Sequence, residues 1–153
     1  MTLIYLDYNC FQRGFDDSRQ LKIRLEALVC EEIFAKAEGQ EVELVWSFMH
    51  EDENALCPFI ERKLEILRLS SLCKVRIGPK EEIYAAAENF QDKAGLSPKD
   101  ALHLACSHFT GCTFFLTCDE ELIKRAKRLN LSMGVMNPVD YIREANKNES
   151  API

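Results

Sequence analysis

Four carboxylates stand where their chemistry depends on their company. Asp7 directly follows the apolar run Leu3-Ile4-Tyr5-Leu6, and Asp119 comes just after a second run, Thr113-Phe114-Phe115-Leu116-Thr117. Glu53 and Asp100 lie instead behind two helix-start signals, Ser47 and the pair Ser97-Pro98. Short apolar runs of this kind read as buried strands of a parallel sheet, whose carboxyl ends converge with helix N-termini along one edge. Each acid alone has a plain structural explanation, because an acid at a helix start completes a cap and complements the helix dipole. Four of them on one edge would raise each other's pKa unless a cation neutralised them. Mg²⁺ or Mn²⁺ suits such an all-oxygen set and can activate a bound water.

The elements that must position these acids follow in order. After the strand Leu3–Leu6, the pattern predicts a long amphipathic helix over 19–37, with Leu21, Leu25, Leu28, Ile33 and Phe34 on its inner side and Glu38-Gly39 as its stop. Val42–Trp46 is the second strand. Ser47 caps a helix through His50-Glu51-Asp52-Glu53-Asn54, which Pro58 interrupts before helix resumes over 59–69. Lys74–Ile77 is a weak third strand closed by Gly78-Pro79, and a helix over 81–93 ends at Gly95. Ser97 as cap and Pro98 at the first helical position open the helix that carries Asp100. Beyond the strand Thr113–Thr117, Asp119 caps a helix over 121–129, and Leu131–Met136 is a last strand before Asn137-Pro138 and a final helix through Tyr141 and Ile142. Strands that alternate with helices, without hairpin signals such as Asn-Gly, predict a three-layer α/β/α sandwich around a central, mainly parallel twisted sheet. Residues 1–146 make a single domain, and 147–153 a polar, disordered tail.

Composition narrows the chemistry. A chain of 153 residues with 47% hydrophobic content can bury one sizeable core. No apolar run approaches the roughly 20 residues needed to span a bilayer, and no secretory leader is recognisable, so a cytoplasmic protein is expected. Seven cysteines without a Cys-x-x-Cys pair read as reduced, buried thiols. His50, His103 and His108 contain no His-x-x-x-His pair on a helix, which disfavours zinc. The net charge of −6 rules out a uniformly basic nucleic-acid surface and leaves local patches, of which Lys124-Arg125-Ala126-Lys127-Arg128 is the densest and Arg62, Lys63 and Arg68 a second.

Four segments, in this order, carry a family resemblance: Leu6-Asp7-Tyr8-Asn9; Trp46-Ser47-Phe48-Met49 with Glu53 six positions after Ser47; Ser97-Pro98-Lys99-Asp100-Ala101-Leu102-His103-Leu104-Ala105; and Leu116-Thr117-Cys118-Asp119. Together they span nearly the whole chain and resemble the PIN-domain family of metal-dependent ribonucleases, which includes VapC-type toxins. The resemblance implies a PIN-like fold and Asp7, Glu53, Asp100 and Asp119 as the catalytic, Mg²⁺- or Mn²⁺-binding set. It also implies Asn9, Ser47 and Thr117 as supporting polar groups that orient ligands or water. Glu51 and Asp52 stand beside Glu53, and the spacing from Ser47 selects Glu53. The implied reaction is hydrolysis of RNA phosphodiester bonds, the implied partners are RNA, an antitoxin protein and a second copy in a homodimer, and no membrane is involved.

Two other readings share features of this sequence. A non-catalytic PIN-like module would bind RNA or protein without turnover. A haloacid-dehalogenase-type phosphatase also opens on a strand ending in Asp-x-Asp, but here the second acid is Asn9 and the accompanying Thr/Ser and Lys motifs are not evident. The absence of Gly-x-x-x-x-Gly-Lys-Ser/Thr disfavours a phosphate-loop enzyme.

Overall fold

The structure, a computed structural model, describes residues 1–149. Five strands, β1 (Thr2–Leu6), β2 (Val42–Ser47), β3 (Val75–Ile77), β4 (Phe114–Leu116) and β5 (Gly134–Met136), form one sheet in the order β3-β2-β1-β4-β5. Every neighbouring pair is parallel, with Ile4 opposite Leu44 and Leu6 opposite Leu116. β1 is therefore central, and its carboxyl end lies beside that of β4.

Side-chain alternation divides the core in two. Ile4 and Leu6 of β1, Leu44 and Trp46 of β2 and Leu116 of β4 face one side, where they meet α1 (Tyr8–Gln12), α2 (Leu21–Glu38), α4 (Ile60–Ser70) and α8 (Pro138–Glu149) through Phe11, Ile33, Ile66 and Ile142. Tyr5, Val45 and Phe115 point the other way, onto α5 (Glu81–Ala94), α6 (Pro98–Phe109) and α7 (Glu120–Ala126), against Ile83, Phe90, Leu104 and Leu122. With both faces covered, the strands need near-continuous apolar runs, which is what β1, β2 and β4 contain. The remaining helix, α3 (Phe48–Ala55), starts directly at the end of β2. None of the described helices is long and apolar enough to cross a membrane.

The buried stripe of α2 differs from the sequence expectation. Ile33 and Phe34 do face inward, but Leu21, Leu25 and Leu28 are 80%, 42% and 56% exposed. The inner face runs instead through Glu26, Cys30, Ile33, Phe34 and Ala37. The cause is Glu26, fully buried because Arg13 donates to it at 3.0 Å and Asn137 at 2.6 Å. A carboxylate satisfied in this way turns the helix, and the leucines go outward.

The other differences lie at element ends. β5 is confined to Gly134–Met136 because Asn130 takes a left-handed conformation, with φ of 49°, and Met133 turns into the core. The helix expected over 121–129 ends at Ala126 and closes in a 3₁₀ turn, Lys127–Leu129. α8 continues through Glu149, so part of the tail expected at 147–153 is helical, and the rest of it, 150–153, lies outside the described residues.

Leu44 lies wholly inside the core on the α2 side of the sheet. Leu44→Ala is expected to lower unfolding free energy by about 2–5 kcal/mol in a denaturant titration; a loss below about 1 kcal/mol would contradict this packing.

Candidate metal centre

Asp7 stands at the carboxyl end of β1, only 5% exposed. Its backbone N–H extends the sheet by donating to Leu116 O at 2.8 Å, which fixes the carboxylate beside the end of β4. Oδ1 accepts the Tyr8 N–H at 2.8 Å as the cap of α1. Oδ2 accepts the Thr117 hydroxyl at 2.7 Å and the Asn9 amide at 3.3 Å. Thr117 Oγ1 in turn accepts from Asn9 Nδ2 and from the Asp119 N–H, each at 3.1 Å, while Asn9 Oδ1 accepts the Cys118 N–H at 3.1 Å. Two side chains from different strand ends thus lock Asp7 and carry the β4–α7 turn with it.

Glu53 approaches from α3. His103 Nε2, on α6, donates to Glu53 Oε1 and stands 4.0 Å from Asp7 Oδ1, and Lys99 Nζ lies 3.7 Å from Glu53 Oε2. The two neighbouring acids face elsewhere: Glu51 accepts the Trp46 indole N–H at 2.7 Å, and Asp52 is exposed.

Behind His103 a buried hydrogen-bonded row runs through the sheet. With its Nε2 proton on Glu53, His103 Nδ1 accepts the Tyr5 hydroxyl at 2.7 Å, and Tyr5 accepts from Ser47 Oγ, also at 2.7 Å. Burial holds His50 neutral, its pKa well below the ordinary histidine value. Its Nε2–H donates to Leu6 O at 2.7 Å and its Nδ1 accepts the Ser47 N–H at 2.9 Å. Ser47 therefore meets no carboxylate directly. It caps α3 and supports Glu53 through Tyr5 and His103.

The last two acids are held by helix starts. Asp119 caps α7 with Oδ1, which accepts from Glu121 N at 3.0 Å and Leu122 N at 3.1 Å. Asp100, in the first turn of α6, has its N–H on Ser97 Oγ at 3.2 Å. Burial pushes the Asp7 pKa up against the opposing pull of His103 and Thr117, with the charges of Asp100 and Glu53 adding to the rise. Burial also raises that of Asp100, helped by the charge of Asp119. The charges of Asp100 and Glu53 thus reach Asp7, and that of Asp119 reaches Asp100.

Among the described residues no three acid, histidine or cysteine side chains form a ready-made ion cage. Glu53 is engaged by His103 and Lys99 instead. The donor set still fits a hard divalent cation: its ligand atoms are all carboxylate oxygens, and the raised proton affinity of Asp7 and Asp100 is what a neighbouring positive charge would relieve.

The basic segment has other work. Arg125 and Arg128 donate to the carbonyls of Gly95 and Ala94 at the end of α5, and Arg68 pairs with Glu65. Arg62 lies 5.0 Å over the Phe59 ring. Lys99 stands against the acids, 3.7 Å from Glu53. Sequence reading missed His103, Tyr5, His50 and Lys99; the one local signal was the spacing of Asp100 and His103, which puts them on one helix face.

Comparison with known proteins agrees with this fold. The crystal structure of VapBC2 from Rickettsia felis, bound to a DNA fragment from its promoter, is similar with a TM-score of 0.58 and 13% identity over 88% of this chain and 98% of that one. PAE2754 from Pyrobaculum aerophilum is similar with a TM-score of 0.56 and 16% identity over 95% of this chain and 90% of that one. No curated protein matches in sequence. The PIN domain profile matches residues 4–129, from inside β1 to the turn after α7, and so takes in all four acids. The chain belongs to the PIN domain family.

Proposed function

We propose that the protein is a metal-dependent ribonuclease and the toxin of a toxin–antitoxin pair. The observation that carries this reading is the buried, doubly clamped Asp7 carboxylate, whose proton affinity is raised among three further acids at the sheet edge. PIN domains are generally divalent-metal-dependent nucleases, and the likeness to VapBC2 supports the toxin role and an antitoxin partner, while the resemblance of the four ordered segments to PIN-domain ribonucleases supports RNA as substrate. The exposed leucines of α2, Leu21, Leu25 and Leu28, support a homodimer.

Asp7, Asp100, Asp119 and Glu53 would hold Mg²⁺ or Mn²⁺. When bound, the cation supplies a positive charge that polarises the scissile phosphate and offsets the charge developing on its oxygens. Thr117 and Asn9 fix the rotamer of Asp7, so that its oxygens need no reorganisation when the phosphate arrives. His103, backed by Tyr5 and Ser47, keeps Glu53 Oε1 in place, and Glu53 Oε2 orients the water that attacks phosphorus opposite the leaving oxygen. Lys99 adds a charge against the phosphate. No covalent intermediate with the protein is required.

Purified protein should cleave RNA with Mn²⁺ or Mg²⁺, lose cleavage in EDTA, and lose it by at least about a hundredfold in Asp7→Asn and Asp100→Asn, in line with removal of a preorganised charge. Equal cleavage by the variants and in EDTA would refute the metal mechanism, and no cleavage of total RNA would favour the binding-module reading. A second test uses the raised pKa values. A cation must displace any proton on Asp7 and Asp100, and these protons are held to higher pH than on an ordinary aspartate. Mn²⁺ affinity measured by calorimetry should therefore rise with pH through those raised values, level off above them, and weaken on acidification before free aspartate protonates. A pH-independent affinity down to the ordinary aspartate range would contradict this.

A further inference from the structure

A cavity that the metal mechanism does not use opens beside Glu53. Its volume of about 390 Å³ falls in the range of small-ligand sites, about 300–1,000 Å³. Its wall takes Tyr8 from α1, Glu53 from α3, Phe59 and Arg62 from the start of α4, and Lys99 from α6. Tyr8 directly follows Asp7, and Glu53 and Lys99 face each other at 3.7 Å. The cavity and the acid site therefore share a wall.

The opposite wall is aromatic and cationic. Between α3 and α4 the chain leaves helical geometry, and Phe59 takes extended backbone, with φ of −98° and ψ of 107°. Its ring is 60% exposed. A single exposed ring is ordinary on a protein surface, but this one is held in place. The Arg62 guanidinium lies 5.0 Å from the Phe59 ring and 5.4 Å from that of Phe15. Nη2 of Arg62 donates to Phe15 O at 3.4 Å, while Nε is buried without an acceptor among the described residues. Cation–π contact with two rings thus fixes the guanidinium and keeps its charge at the cavity. Buried Asn54 ties the surrounding elements together: its Oδ1 accepts the Tyr8 hydroxyl at 2.8 Å, and its Nδ2 donates to Lys63 O at 3.3 Å. These bonds join α1, α3 and α4 around the cavity, so its shape is set before a ligand arrives.

From this juxtaposition of a cation-backed exposed ring with the acid site, we infer that the cavity takes an unpaired nucleobase of the RNA strand, stacked on Phe59, from a nucleotide next to the scissile phosphate. The inference rests on the ribonuclease reading and adds to it the form of the substrate. A base stacked within a duplex has both faces covered and does not reach Phe59, so the subsite selects single-stranded RNA. Stacking tolerates every base, since each has a π-face, and Phe59 therefore selects unpaired strand rather than sequence. Arg62 and Lys99 supply the positive charge that the phosphates beside that base require, on a chain whose net charge is −6. A ring, two cations and the acid site in one continuous space match a nucleotide better than an apolar protein segment.

The test measures, by fluorescence anisotropy, binding of the full chain to labelled oligouridine and to an abasic strand of the same length, with Ca²⁺ in place of Mn²⁺ and the strands checked as intact afterwards. The wild-type chain is expected to bind oligouridine about five- to a hundredfold more tightly than the abasic strand. Phe59→Ala should remove that difference and leave abasic affinity unchanged, whereas Phe59→Trp, which keeps a stacking face, should retain it. A base preference that survives in Phe59→Ala, or equal wild-type binding of the two strands, would overturn the inference and leave the ring to a protein partner. Either result with RNA cleavage intact faults the subsite alone; a wild-type chain that neither binds the strands nor cuts RNA faults the ribonuclease reading, and the inference falls with it. Should Phe59→Ala not fold, photocrosslinking of iodouridine-substituted RNA to the wild-type chain decides: a linked peptide at Phe59 or Tyr8 supports the subsite, and links confined to other peptides overturn it.

Discussion

A carboxylate held almost out of water at the end of a central strand is expensive for a fold, because desolvation favours its neutral form and other acids nearby add to the penalty. Asp7 is in that position, and much of the surrounding structure is a response to it. The Tyr8 N–H, the Thr117 hydroxyl and the Asn9 amide take three of the roughly four acceptor sites on its two oxygens, and the same groups join the ends of β1 and β4. The interactions that make the ionised group tolerable also make it rigid. Rigidity is what a site needs if its charge is to meet a cation and a phosphate without rearrangement.

The parallel sheet explains why the acids meet at all. Alternation along β1 sends Ile4 and Leu6 into one half of the core and Tyr5 into the other, so Tyr5 can carry a hydroxyl through an otherwise apolar layer to His103. Ser47 and His50, from the end of β2 and the start of α3, complete that buried row, and each polar group in it has a partner. The row reaches the acid site through His103, which donates to Glu53 and stands 4.0 Å from Asp7. This gives α3 and α6 a defined relation to Asp7 that packing of their apolar faces alone would leave looser.

Much of the fold was legible because parallel strands buried on both faces must be largely apolar, and β1, β4 and, apart from Glu43 and Ser47, β2 are. Caps were equally plain: Ser47, Ser97 and Asp119 each start a helix with the hydrogen bonds their residue types promise. The inner face of α2 was not legible, since the burial of Glu26 depends on Arg13 and on Asn137, which lies 111 residues away. The same limit applies at the site. Strand ends and caps marked Asp7, Asp100 and Asp119 as candidates, whereas the partners of Glu53 are tertiary: Trp46 draws Glu51 aside, while His103 and Lys99 engage Glu53. Tyr5 reads as one more apolar strand residue until its hydroxyl is seen to bridge Ser47 and His103.

The proposed function requires the sheet edge around Asp7 to hold a divalent cation. Anomalous diffraction from crystals grown with Mn²⁺ tests it directly. A manganese peak is expected at coordination distance from Asp7, with carboxylate oxygens from Asp100, Asp119 or Glu53 sharing the ion. Saturating Mn²⁺ that binds elsewhere, or leaves Asp7 without an ion, would contradict it.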